Sequence, residues 1–422
     1  MTAVWPRARP TVHARQRPAI CFLVWSFLTC VASLSRPESG HAQGDRFGSQ
    51  ARADAASQAI VLAVQQGISA LPPTSAQSVV YEFRREPDVP VRSERLGPIS
   101  LRAPETVGRG DFILRASSSY FALPATLGPI DYRLEFDDPT VSPTVFAKLG
   151  TNIDAKVGVF GLTLSYGITT RVEANLSLPI VLVDAQASQT YSARAADPTR
   201  LGFRRSIPAL DEAIANQQVV LQTVPFSPQF SFNDGTHVGV GRISLGSKAL
   251  VYFADPFELA AACEFYFPSP SEQQFAGSDS AAILPRLIGA ARLTDWMRAL
   301  VDVGYDYDFD VDQLRRFVWD VGLSFPLAAG TFDVGLGGSS YAAPIEWTPS
   351  QFREAVVSGD PPEITATAVG DNQTGTNYVD FLFGAKVRLS DAVILGGAVN
   401  VPVTNEGLQP IVAGTLVLEF YF

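Results

Sequence analysis

Residues Arg171 to Leu182 read RVEANLSLPIVL. Val172, Ala174, Leu176, Leu178, Ile180 and Leu182 share one parity, and Arg171, Glu173, Asn175, Ser177 and Pro179 share the other. Successive side chains of an extended chain point to opposite faces, so the stretch predicts a strand with one wholly apolar face. Phe257 to Phe267 (FELAAACEFYF) repeats the pattern: Phe257, Leu259, Ala261, Cys263, Phe265 and Phe267 oppose Glu258, Glu264 and Tyr266. Working outward, twelve such segments are predicted, at 110–121, 151–166, 170–185, 239–253, 257–268, 282–294, 297–308, 313–326, 330–342, 377–389, 392–403 and 410–422. Tight turns at 167–169, 254–256, 295–296, 327–329 and 390–391 join five pairs. The other links are 122–150, 186–238, 269–281, 309–312, 343–376 and 404–409, of which 309–312 is barely longer than a turn. An even strand count with alternating short and longer links is the layout of a transmembrane antiparallel β-barrel.

A soluble β-sandwich alternates too. Aromatic residues favour the barrel: Tyr120, Tyr166, Phe253, Phe257, Tyr305, Tyr307, Phe325 and Phe332 sit on the apolar face near strand ends, where a membrane–water boundary suits them. The closing stretch LVLEFYF places Leu416, Leu418, Phe420 and Phe422 on one face. On a soluble edge strand that face is an aggregation hazard. In a barrel it meets lipid, and the tail is expected to serve as the signal read by the barrel-assembly machinery; a buried last strand is the alternative.

The 422 residues carry 32 basic and 42 acidic side chains. Residues 1–42 hold Arg7, Arg9, Arg15, Arg17 and Arg36 against Glu38, so the remainder has 27 basic and 41 acidic groups, a net of −14. Such an acidic remainder argues against nucleic acid as a partner, because phosphates need basic groups. Basic residues 7–17, the uncharged run Ala19–Leu34 and Gly40-His41-Ala42 follow the order of a secretory signal peptide, expected over 1–42. A membrane anchor is the alternative, although the run is short for a helical span. Beyond it only His237 and Cys263 remain of the histidines and cysteines. No metal cluster, disulfide framework or cofactor is therefore expected within one chain.

Residues 43–109 lack the alternation and are expected to form an N-terminal arm under the barrel or a plug inside it. Ala55 to Gly67 (AASQAIVLAVQQG) reads as a short helix and Ser78 to Phe83 as a short strand. In the long link 186–238 a helix is predicted from Pro208 to about Leu221, with Leu210, Ile214, Gln217 and Leu221 on one face. Residues 110–422 are assigned to the barrel.

Two segments, Leu162 to Glu173 (LTLSYGITTRVE) and Val240 to Ala249 (VGRISLGSKA), are similar to strand–turn–strand segments of the outer-membrane channel family named for the meta pathway of phenol degradation. The stretch Leu96-Gly97-Pro98-Ile99 to Thr106-Val107-Gly108-Arg109-Gly110 resembles the lead-in of those proteins. The resemblance covers most of 96–422. It implies a channel, with aromatic or other hydrophobic compounds among the solutes, in the bacterial outer membrane.

Projecting the strands gives an inward set of candidate pore-lining charges. The cations are Arg115, Arg171, Arg242, Lys248, Arg286, Arg292, Arg298, Arg316, Lys386 and Arg388, and the anions are Glu173, Glu258, Glu264, Asp302, Asp306, Asp320, Asp333, Asp380 and Glu419. Ten against nine makes no single-sign ring, so weakly selective, passive passage of small molecules is expected. The same charges, paired across strands, serve barrel stability equally well. A structural or adhesive barrel without transport stays open, carried by the long links 186–238 and 343–376. A barrel lipid hydrolase needs a serine beside His237, and nothing in the sequence marks one, so no enzyme activity is expected. The expected partners are outer-membrane lipid, the assembly machinery and small solutes.

Overall fold

A computed structural model describes residues 58–68, 71, 79–83, 90–136, 145–195, 219–225, 235–269, 277–278, 280–327, 329–346, 351–355, 363–369, 373–404 and 410–422. The predicted signal peptide lies outside them. A helix, α1, spans 58–68, starting three residues later and ending one residue later than the stretch 55–67 read from the sequence. A hairpin follows, β1 (Val79–Phe83) antiparallel to β2 (Pro90–Leu96).

The wall begins with three long strands, β3 (Phe112–Phe136), β4 (Val145–Gly167) and β5 (Val172–Ala195). After β6 (Val219–Pro225) come β7 (Gly235–Val240), β8 (Ser244–Ala254), β9 (Phe257–Tyr266), β10 (Ala282–Thr294), β11 (Met297–Asp308), β12 (Arg316–Pro326) and β13 (Gly330–Tyr341). The chain finishes with β14 (Gln351–Ala355), β15 (Glu363–Val369), β16 (Asn377–Ser390), β17 (Val393–Pro402) and β18 (Ala413–Tyr421). Every pairing is antiparallel, and β18 closes on β3 with Glu419 opposite Arg115. The closed circuit is β3, β4, β5, β8–β13, β16, β17 and β18, a twelve-stranded barrel. β7 continues β8 along β5, with a break at 241–243 opposite Pro179, whose carbonyl accepts the Gly241 N–H at 2.9 Å.

Several expectations change. Links 122–150 and 186–238 are partly strand, because β3, β4 and β5 run on past the barrel, where β15 and β6 pair with them. Val219–Leu221 belong to β6, so the helix predicted over 208–221 does not include its last turn; its remainder lies outside the described residues. Link 343–376 carries β14 and β15. β12 starts at Arg316, not 313, because the Asp308 carboxylate accepts the N–H groups of Asp310 and Val311 at 3.1 and 2.9 Å and turns the link into a 3₁₀ turn, Asp312–Leu314. His237, which the sequence placed in the link 186–238, sits within β7 opposite Val183.

Short turns gather at one end. Hydroxyls two residues upstream close three of them: Thr169 accepts the Arg171 N–H at 3.1 Å, Thr294 that of Trp296 at 3.3 Å, and Ser390 that of Ala392 at 3.4 Å.

The surface is inverted relative to a soluble domain. Arg115, Glu173, Lys248, Glu264, Asp302, Arg316, Asp333, Lys386 and Glu419 are buried, while Leu164, Leu176, Val251, Leu287, Val301, Val321, Phe381, Leu395 and Leu416 are exposed. An exposed apolar belt of this kind is the outer face that a transmembrane barrel presents. Aromatic rings rim it at both ends. Phe112 stacks on Phe422 at 4.8 Å, and Phe325 lies 6.1 Å from both Trp296 and Phe332 at the short-turn end. Tyr305, Tyr307 and Phe309 form a chain of rings at the long-loop end.

Candidate functional site: the filled lumen

Two described stretches ahead of β3, α1 and residues 96–108, pack against inward side chains of the wall in two tiers. At the long-loop mouth, Ala59, Ile60, Leu62, Ala63 and Val64 of α1 share a core cluster with Phe121, Leu123, Ile153, Val157, Val181, Val183 and Ala185 of β3, β4 and β5. Gly67 lets the Phe121 ring approach, since a Cβ there would stand 2.7 Å from a ring carbon. Side-chain amides tether the helix, Gln66 donating to the Gln313 carbonyl at 3.0 Å and Gln65 to that of Gly277.

Toward the short-turn end, residues 96–108 cross the lumen. Leu96 packs on Ile394, Ile99 on Ala398 and Val417, and Leu101 on Ala290, Leu300 and Leu382. Inward glycines make room for this crossing: a Cβ on Gly322 would stand 2.6 Å from Leu101, and one on Gly396 would stand 2.7 Å from Ile99. Gly110, at φ +84°, turns the chain into β3, and its N–H donates to the Gly167 carbonyl at 2.8 Å.

Wall charges grip the crossing segment. Asp333 accepts the N–H groups of Ile99 and Ser100 at 3.2 and 2.8 Å, and Glu173 accepts that of Val107 at 2.7 Å. The Lys248 ammonium donates to the Ala103 carbonyl at 3.0 Å and lies 3.3 Å from Glu173. Arg102 donates to Glu264 at 2.7 Å and faces Asp302 at 3.5 Å. Burial alone would lower the Arg102 pKa, but the attraction of Glu264 and Asp302 wins and raises it, holding the guanidinium charged. Arg298 pairs with Glu105 of the segment and with Glu258 of the wall, the latter at 3.0 Å.

The remaining inward charges pair mostly within the wall. Arg115 and Lys386 share Glu419, Arg286 meets Asp302, Arg316 lies 3.4 Å from Asp306, and Arg242 meets Asp308. Arg388 is half-buried on β16. Two members of the inward set sit elsewhere: Arg171 is exposed in a short turn, and Arg292 lies at the rim, 3.9 Å from Asp255. Asp320 and Asp380 make no hydrogen bond or ion pair among the described residues. Sequence reasoning missed Arg102, Glu105 and Ser100, whose wall partners are more than a hundred residues away. The apolar inward face of Val181, Val183 and Ala185 was missed as well. Its only signal is apolar character on both parities over 178–183.

Open space survives along β12, β13, β16 and β17. A solvent-open cleft near the mouth is lined by Gln66, Tyr341, Tyr378, Pro402, Pro410 and Ala413 among others. A second reaches deeper to Arg102, Arg286, Arg316 and Asp320. Ser339, Asp380 and Asn400 border both, so the two adjoin.

No family model matches the sequence, and no curated protein matches it. Among solved structures the chain is similar to an outer membrane channel from Pseudomonas putida F1, at 12% identity over 76% of this chain and 98% of that one, with a TM-score of 0.42. The monoaromatic hydrocarbon channel CymD follows at 10% identity over 75% and 89%, TM-score 0.33. The P. putida toluene transporter TodX stands at 9% identity over 75% and 90%, TM-score 0.33.

Proposed function

We propose that the protein is a passive channel of the bacterial outer membrane for small molecules, related to the phenol meta-pathway channels that its hairpins resemble. One observation carries the reading: a barrel with an exposed apolar belt retains two adjoining cavities between its inward-folded N-terminal segment and one arc of its wall. Apolar side chains outside and ionised ones inside suit a barrel whose only aqueous space is the lumen. The lumen is narrow for twelve strands and is further reduced by α1 and residues 96–108. Passage is therefore restricted to small solutes moving along β12, β13, β16 and β17. A purely structural barrel has no need of adjoining internal space bordered by unpaired carboxylates.

The test is current across a planar bilayer, with liposome swelling by small neutral solutes as a second readout. Discrete conductance steps from heat-modifiable, detergent-extracted protein are expected. Silent protein that is correctly folded by the same mobility criterion overturns the channel and leaves the structural barrel.

A further inference from the structure

We propose that the residual passage contains a binding site for the cationic group of an organic solute, formed by Asp320 and Asp380 on either side of Gly337. The inference deepens the channel reading and rests on it only for the solute's passage, not for its binding.

Strand register places the site. Asp320 of β12 pairs with Gly337 of β13, and Gly337 pairs with Asp380 of β16. The two carboxylate-bearing strands therefore flank one that offers no side chain at that level. Adjacent strands lie about 4.8 Å apart, so the two aspartate Cα atoms are separated by roughly 10 Å. The Asp320 carboxylate leans over the gap, since a Cβ on Gly337 would stand 2.5 Å from its Oδ1.

Charge balance names the ligand. The cations bordering the deeper cavity are Arg102, Arg286 and Arg316. Each already faces an anion: Arg102 has Glu264, Arg286 has Asp302 and Arg316 has Asp306. Among the described residues neither Asp320 nor Asp380 has an ion-pair partner: Arg286, Arg102 and Arg316 attract Asp320 only from beyond ion-pair distance, and no cation acts on Asp380, so the pair favours a cationic solute. Ser339, one pleat further along β13, adds an independent sign of a ligand. It is only 7% exposed and borders both cavities, and its hydroxyl has no hydrogen-bond partner among the described residues.

The mouth above supplies the rest of the specificity. Tyr341 and Tyr378 meet edge-to-face at 5.4 Å, with Pro402 and Pro410 beside them. These surfaces accept a flat or compact apolar body. Among the described residues no group of three acidic, histidine or cysteine side chains could hold a metal ion. The fitting class is a primary or quaternary ammonium carried on a small aromatic or aliphatic skeleton.

Benzylammonium is the probe, with benzyl alcohol and benzoate as neutral and anionic counterparts. Two readouts are needed on the full chain: calorimetric binding in detergent, and block of potassium chloride current in a bilayer. The expected result is saturable binding and block by benzylammonium alone, both weakened at least tenfold in the Asp320→Asn/Asp380→Asn double variant. Heat-modifiable mobility of that variant establishes that it folds. Equal binding of all three probes, or binding unchanged in the double variant, overturns the site. Discriminating binding in protein that passes no current upholds the site and sinks the channel. Current without discrimination does the reverse.

Discussion

Asp333, wholly buried on β13, receives the backbone N–H of Ser100 at 2.8 Å, so a wall carboxylate holds main chain that belongs to the incoming segment. It also receives the Ile99 N–H at 3.2 Å. Asp333→Ala strands both amides, at a cost of about 1–3 kcal/mol for each buried donor left unpaired. The crossing segment is expected to loosen while the barrel stays closed. Bilayer recordings should show current raised severalfold with heat-modifiable mobility unchanged. Unchanged current would mean that the other grips suffice.

Arg298 ties Glu105 of the segment to Glu258 of the wall. Removing one member of a buried ionic group leaves uncompensated charge and costs about 3–5 kcal/mol. Arg298→Met should therefore lower the urea midpoint markedly, and Arg298→Met/Glu105→Gln should recover part of the loss. Additive losses in this cycle would show that the two residues are not coupled.

Ile60 and Val64 of α1 are 1% and 0% exposed within the apolar mouth. An aspartate at either place would stand among buried apolar side chains, and a buried unpaired carboxylate is not tolerated. Val64→Asp is expected to expel α1 from the lumen. Faster proteolytic cleavage near Gly67, together with a larger current, is the measurement; a helix that remains protease-resistant contradicts this account of its anchoring.

Leu416 is 67% exposed on the outward face of β18, whereas Glu419 faces inward at 1%. Leu416→Arg is expected to cost about 2–4 kcal/mol if that face lies in the bilayer interior. Folding yield into lipid vesicles should drop, while Leu416→Phe folds as the parent does. Equal yields for both would place the apolar belt outside lipid.

Strands β10 to β13 and β16 to β18 were legible in the sequence because lipid on one side and a charged lumen on the other enforce strict alternation. In β18, for example, Thr415 and Glu419 oppose Leu416 and Phe420. That logic weakens in β5 after Ser177, where Val181, Val183 and Ala185 turn inward onto α1 and both faces become apolar. It also gives no warning that β3, β4 and β5 run on beyond the barrel, since the lipid-facing requirement ends there. The inward charges were readable as a set. Their partners were not, because Glu105 and Arg298 meet only through the fold. Asp320 and Asp380 stood in that set as two carboxylates among nine, and only the register around Gly337 separates them from the paired ones.

Gly110 joins the inserted segment directly to the first wall strand. In the proposed channel, occluder and pore are one covalent molecule, and no dilution of the protein can shift the balance between them. A segment displaced by solute returns by a first-order step, set by the effective concentration of its own tether, which for short linkers is on the order of millimolar. Throughput would then be governed by how often this leash slackens rather than by how many copies of the protein the envelope holds.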